Sequence, residues 1–228
     1  MAMRDYHSLR TTDVVELKGF RMIGSGIGRT RLVLTTEMTS GCLWEWSSGA
    51  PGADWFDINI EHLSFLGSFD GVLHQMGKDD FSDFLNIFTA RNVQWINGKI
   101  GNNTEALRLN GVYGGHMDSC RVGCWTNGIG ANYGKALHIR QSQFLKHTAC
   151  SYGNAAYGVY FSGGWSDTNT FDTCDAENVC YAWYNNSPNS GLHTVKNSRI
   201  SYWTNYAVGA PVGRPGSVFK FEGNSLGP

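Results

Sequence analysis

Charge is scarce in this sequence: 16% of its 228 residues are Asp, Glu, Lys or Arg, and 18 cations nearly cancel 19 anions. Without a basic or acidic excess there is no electrostatic footprint for a polyanion, so nucleic acid is excluded as an expected partner. No apolar run is long enough for a transmembrane helix, so membrane insertion is not expected either. The opening segment "MAMRDYHSLRTTDVVELKG" lacks an apolar core, and no secretion signal is expected in it. Six cysteines occur without any Cys-x-x-Cys or paired-histidine motif. Zinc and a disulfide framework are therefore unsupported, the thiols are expected buried and reduced, and no cofactor is called for.

Long Ala/Leu/Glu/Lys runs are missing too, which disfavours helices. Glycine, at 29 residues, and aromatics, at 13% of the chain, are abundant instead, with many Asn, Ser and Thr. That balance favours many short strands joined by tight turns. The length fits a single domain with a sizeable core, residues 1–18 leading into a domain over 19–228.

Glycines gather in "IGSGIGRT" (23–30), which superficially suggests a phosphate cradle. A Walker loop needs glycine where Ile23 stands and lysine where Arg29 stands. A dinucleotide fingerprint needs a third glycine at Arg29 and a following helix, whereas "TRLVLTTEM" is β-branched and alternating. A strand through Phe20–Ile23, a glycine turn and a return strand through Arg31–Leu34 fit better.

A pattern of apolar, charged, polar, small, polar and apolar residues recurs along the chain. It reads "IEHLSF" (60–65), "ARNVQW" (90–95), "MDSCRV" (117–122), "IRQSQF" (139–144), "FDTCDA" (171–176), "VKNSRI" (195–200) and "FEGNSL" (221–226). Successive second positions lie 30, 27, 22, 32, 24 and 26 residues apart, too short for βαβ units and suited to one turn of a parallel β-solenoid. Down the stack these positions read Glu61, Arg91, Asp118, Arg140, Asp172, Lys196 and Glu222, alternating in sign at every step. Strands about 4.8 Å apart reward that alternation. The third positions, His62, Asn92, Ser119, Gln141, Thr173, Asn197 and Gly223, suit a tight turn. An antiparallel sandwich and a propeller are the alternative arrangements.

A second register aligns "GVLHQ" (71–75), "ALRLN" (106–110), "GIGAN" (128–132), "GVYFS" (158–162), "YAWYN" (181–185) and "AVGAP" (207–211). Period-two alternation turns Val72, Leu107, Val159, Ala182, His74, Leu109, Phe161 and Tyr184 inward. Leu73, Arg108, Tyr160 and Trp183 then face out, with Asn110, Asn132 and Asn185 beyond them and Asp70, Glu105, Tyr157 and Tyr206 just before.

The Gly24-x-Gly26-x-Gly28 and Thr30 pattern, together with "SGGWSDTNTF" (162–171), resembles the pectate-lyase-like superfamily of right-handed parallel β-helices. The likeness is greatest to the branch found in bacteriophage tailspikes and polysaccharide depolymerases, and runs from about residue 19 to the end. It implies an all-β, right-handed parallel β-helix of about eight coils, a homotrimer on a virion tail or extracellular surface, and a polysaccharide substrate bound across the outer face of one sheet. On this chain that face offers Arg108, Asn110, Asn132, Tyr157, Tyr160, Trp183 and Asn185 as substrate-binding residues. Aromatic rings suit apolar sugar faces, while amides and guanidinium suit hydroxyls and uronates.

Glycoside hydrolysis needs two carboxylates, and Asp70 with Glu105 falls at equivalent places on neighbouring coils. These are the expected catalytic pair. Asp79, Asp80 and Asp83 are expected to cap a short helix near Ser82. Asp167, Asp172, Asp175 and Glu177 are read as structural, with Asp175 facing Arg199. A lyase would use Arg108 as its base, and a non-catalytic structural or glycan-binding β-helix is the alternative to an enzyme. His74 and His193 are expected to be structural.

Overall fold

The computed structural model describes residues 19–33, 42–46, 56–68, 70–77, 85–99, 101–124, 134–189, 191–209 and 218–227. The lead-in over 1–18, the acidic stretch with Asp79, Asp80 and Asp83, and Asn132 lie outside the described residues. The strands are β1 (Gly19–Ile23), β2 (Arg31–Val33), β3 (Cys42–Trp46), β4 (Phe56–Gly67), β5 (Val72–Met76) and β6 (Leu85–Asn97). There follow β7 (Glu105–Asn110), β8 (Gly115–Asp118), β9 (Arg121–Cys124), β10 (Lys135–Arg140), β11 (Leu145–Thr148) and β12 (Ser151–Ser162). The last are β13 (Thr170–Asp172), β14 (Asp175–Asn185), β15 (Leu192–Lys196), β16 (Arg199–Gly209), β17 (Val218–Glu222) and β18 (Ser225–Leu226). The described residues contain no helix, and every pairing of named strands is parallel.

Pairing sorts the strands into three ladders, an arrangement consistent with a parallel β-helix. The first runs through β1, the starts of β4 and β6, then β8, β11, β13, β15 and β17. The second runs through β2, the ends of β4 and β6, β9, the starts of β12, β14 and β16, and β18. The third joins β3, β5, β7 and β10 to the ends of β12, β14 and β16.

The corner between the first two ladders is made by one residue in the left-handed region at each level. His62, Asn92, Ser119, Ala149, Thr173, Asn197 and Gly223 have φ between 50° and 61°. A single such residue turns a strand sharply without a loop, at a cost of about 1 kcal/mol or more for a non-glycine. Side chains link neighbouring corners, as where Asn92 Nδ2 meets His62 Nδ1 at 3.1 Å. Asn154 and Asn178, also at positive φ, form a second such corner, joined by a 3.1 Å hydrogen bond.

The glycine segment 24–30 occupies the first-to-second corner in the opening coil. It does not reverse the chain as expected, because β1 and β2 run parallel to successive stretches of the one strand β4. A Cβ on Gly24 would collide with the His62 carbonyl oxygen, which explains glycine there. Ser25 N–H donates to Thr30 Oγ1 at 2.9 Å and closes the turn on itself.

The charge ladder needs one correction. Asp118 pairs with Thr148, and Thr148 with Asp172, so the fourth repeat is "HTACSY" (147–152), not "IRQSQF". The uneven spacings of 22 and 32 residues thereby become 30 and 24. Arg140 belongs to the third ladder, beside Asn110 and Ser162. Arg91 Nε lies 3.6 Å from Asp118, Lys196 Nζ 3.0 Å from Asp172 and Arg199 2.6 Å from Asp175, while Glu61 meets Arg21 at 3.2 Å and Glu222 meets Lys220 at 2.6 Å.

The small positions after the corners form an interior column: Leu63, Val93, Cys120, Cys150, Cys174 and Ser198 are all buried. The three thiols are free and point to carbonyl oxygens, as Cys150 does to Thr148 at 3.3 Å. Large rings fill the rest of the core. Phe65 stacks on Trp95 at 5.8 Å, and the Trp95 indole N–H donates to His74 Nδ1 at 2.9 Å. His147 stacks on Phe171 at 4.4 Å and His193 on Phe161 at 4.1 Å.

Burial pushes His74 down to about 3, and His147 and His193 to about 4. The folded state therefore holds all three neutral, while the unfolded chain takes up protons from about pH 6.5 downward. Stability is complete above that value and falls between pH 6.5 and about 4, by up to about 1.4 kcal/mol per pH unit for each histidine. Denaturant unfolding at pH 7 and pH 5 measures this; equal stabilities at the two pH values would contradict it.

Candidate functional site

The outer side of the third ladder carries a continuous polar and aromatic band. Its geometry begins in the backbone. Glu105 N–H donates to Gly71 O at 2.9 Å, and the Asn97 amide donates to both Gly71 O and Glu105 O at 3.2 Å. Those bonds pin the start of β7. One strand further on, Gly134 at φ 74° lets Lys135 N–H reach Thr104 O at 2.8 Å, and a Cβ on Gly134 would collide with that carbonyl.

Side chains reach this band at a spacing of three, not two. Glu105 and Arg108, Lys135 and His138, Tyr157 and Tyr160, and Tyr181 and Tyr184 interact there. The residues between them (Ala106-Leu107, Ala136-Leu137, Gly158-Val159, Ala182-Trp183) are buried. In register Lys135 sits between Glu105 and Tyr157, and His138 between Arg108 and Tyr160.

At the polar end lies a carboxylate with only 2% of its surface exposed. Glu105 Oε2 accepts from Arg108 Nε at 2.7 Å and from His138 Nδ1 at 2.9 Å, while Lys135 Nζ donates to Oε1 at 3.1 Å. Burial opposes the charge. The His138 hydrogen bond and the Arg108 guanidinium outweigh it and hold Glu105 well below the usual carboxylate range. Arg108 Nη1 also donates to Gln75 Oε1 at 3.2 Å.

His138 is buried as well. Burial lowers its pKa, Glu105 opposes that shift, and the Arg108 and Lys135 cations add to it, so the ring is neutral. With its Nδ1–H committed to a carboxylate, Nε2 carries the lone pair. That nitrogen lies 2.7 Å from the hydroxyl of Ser162, which therefore donates to it.

Four half-buried tyrosines form the aromatic end. Tyr157 stacks on Tyr181 at 5.2 Å and Tyr160 on Tyr184 at 5.6 Å, with edge-to-face contacts linking the pairs at 4.9 to 5.1 Å. Lys135 Nζ lies 5.2 Å from the Tyr160 ring centre, and His138 packs edge-on against the same ring at 5.0 Å. Asn186 Nδ2 donates to the Tyr160 hydroxyl at 2.8 Å.

No family model matches the chain, and neither a curated protein nor a solved structure shows a significant match to it.

The band brings Glu105, Arg108, Tyr157 and Tyr160 together as sequence alignment expects. Trp183, Asn110 and Asn185 are buried and do not join them. Tyr160 aligns with Tyr184 and Trp183 with Val159, so Trp183 turns into the core and Tyr184 takes the outer place. Asn185 Oδ1 instead accepts the Ser187 N–H at 2.8 Å. Leu73, expected outside, is buried too. Asp70 is exposed in the turn before β5, and Glu105 aligns with Val72 rather than with it.

Lys135 and His138 escaped sequence reasoning because "GIGAN" stood where "KALHIR" belongs, and Tyr181 and Tyr184 because "YAWYN" was aligned one residue out of register. A usable signal was present. "EALR" (105–108), "KALH" (135–138), "YGVY" (157–160) and "YAWY" (181–184) share one pattern, a small and then an apolar residue between two that are polar or tyrosine.

Replacing Glu105 by Gln leaves Arg108 and Lys135 without their shared anion. The expected loss is about 3–5 kcal/mol of unfolding free energy, measured by denaturant titration. A loss below 1 kcal/mol would mean that the carboxylate does not organise the band.

Proposed function

We propose that this protein is a right-handed parallel β-helix of about eight coils that binds a bacterial surface polysaccharide along its third strand ladder, in the manner of the tailspike-like proteins its opening coil resembles. The observation that carries this reading is the tyrosine quartet continuous with Lys135, Arg108 and His138 on one outer face. Rings at the 5 Å pitch of successive strands offer a stepped apolar platform on which sugar faces stack. The neighbouring guanidinium and ammonium suit hydroxyls and uronate carboxylates. A homotrimer on a virion tail or extracellular surface belongs to the same proposal.

The carboxylate-pair mechanism of glycoside hydrolysis finds little support on this face. Glu105 is ionised and tied by three donors, so it has no proton to give as general acid. Arg108 is committed to Glu105 and Gln75, which also disfavours its use as a lyase base.

Binding to a panel of capsular and O-antigen polysaccharides, with pectin and alginate as controls, tests the proposal. Tyr160→Ala and Tyr184→Ala are each expected to weaken binding about tenfold, the loss of roughly one stacking contact of 1–1.5 kcal/mol. Binding that survives both substitutions unchanged would place the glycan surface elsewhere.

A further inference from the structure

Glu105, His138 and Ser162 stand on three successive strands, β7, β10 and β12, joined by two hydrogen bonds in series. We propose that they form an acid–base–nucleophile triad that cleaves carboxylic esters. The order is that of a serine hydrolase: a buried carboxylate holds the Nδ1–H of a histidine, and the opposite ring nitrogen accepts the hydroxyl proton of a serine. Both distances, 2.9 Å and 2.7 Å, lie within hydrogen-bonding reach before any substrate is present.

Three features beyond the distances favour chemistry over simple packing. His138 and Glu105 are buried, whereas Ser162 is half-buried at the end of its strand, so the nucleophile alone of the three faces solvent appreciably. The charged groups around the ring are Glu105 and Arg108 from β7 and Lys135 from β10, with Tyr160 of β12 against its face. Burial and the Arg108 and Lys135 cations outweigh Glu105 and keep the imidazole neutral, able to accept a proton at neutral pH. Ser162 is followed by Gly163 and Gly164, neither of which donates a backbone hydrogen bond among the described residues. A side chain added at Gly164 would meet nothing within 4 Å, so this turn has room for an acyl group.

In the reaction, Ser162 Oγ bonds to the acyl carbon as its proton passes to His138 Nε2, and the carbonyl π pair moves onto oxygen. The N–H groups of Gly163 and Gly164, next in the chain after Ser162, are the donors for that oxyanion. Collapse breaks the bond to the alcohol, which leaves with the proton from His138. Water then adds to the acyl-serine, gives its proton to His138, and releases a carboxylic acid as Ser162 recovers its hydrogen. Glu105 positions the ring and balances the transient imidazolium; it does not itself become protonated.

The tyrosine platform beside Ser162 points to an O-acyl group carried on a sugar as the natural ester, a choice that rests on the glycan-binding proposal above. The test does not. The purified protein is treated with a fluorophosphonate probe and, separately, with p-nitrophenyl acetate, and the modified peptide is located by mass spectrometry. The expected result is an adduct on Ser162, absent in Ser162→Ala, with p-nitrophenol release at least about a hundredfold slower in Ser162→Ala and His138→Gln. Circular dichroism confirms that Ser162→Ala, a small change at a half-buried site, remains folded. No adduct on the folded protein, or equal labelling of Ser162→Ala, would overturn the triad while leaving glycan binding untouched. Labelling of Ser162 without binding to any polysaccharide would uphold the triad and overturn the glycan proposal instead.

Discussion

Each strand of this protein draws its backbone hydrogen bonds from strands a full repeat away in sequence, and nothing else in the structure stands without that stacking. A parallel ladder has no hairpin to set its register, so register must come from the corners and the interior columns. The left-handed residues from His62 to Gly223 serve that purpose: they bend the chain at the same place in each coil after the first. The column from Leu63 to Ser198 then fills the space behind each bend with residues small enough to let the coils close. Thiols suit this position because they are compact and still offer a weak donor to a nearby carbonyl.

The same stacking makes the outer band. Because strands of the third ladder lie about 5 Å apart, residues at one register position line up as a row. Glu105, Lys135, Tyr157 and Tyr181 form one row, and Arg108, His138, Tyr160 and Tyr184 the next. Charge gives way to aromatic rings along both rows. A buried carboxylate is costly unless its oxygens are well supplied with donors, and here three donors from two strands meet it. Ion pairing and packing thus hold one another in place, with His138 at the junction touching Glu105, Ser162 and Tyr160.

That junction ties the two functional proposals to one surface. A stacked ring can hold a sugar but changes nothing in it; a polarised hydroxyl can attack an acyl carbon but selects little. Adjacent rungs of a parallel ladder supply both within the span of β10, β12 and β14.

Much of this architecture was legible in the sequence. The hexapeptide repeat, its polar corner position and its charge pairs follow from local chemistry, since identical places in successive coils need similar residues. The glycines of "IGSGIGRT" announced a turn and excluded a nucleotide site for the same reason. Side-chain composition could not decide register where spacing varied. Arg140 follows the apolar Ile139 whereas Thr148 follows His147, so the pattern favours Arg140, and only backbone pairing puts Thr148 in its place. A shift of one residue between β12 and β14 exchanges Trp183 for Tyr184 on the surface, because neighbouring side chains point to opposite faces. The meeting of Glu105, His138 and Ser162 lay further from reach still. They are separated by 33 and 24 positions in the chain, and three-dimensional stacking alone brings them within hydrogen-bonding distance.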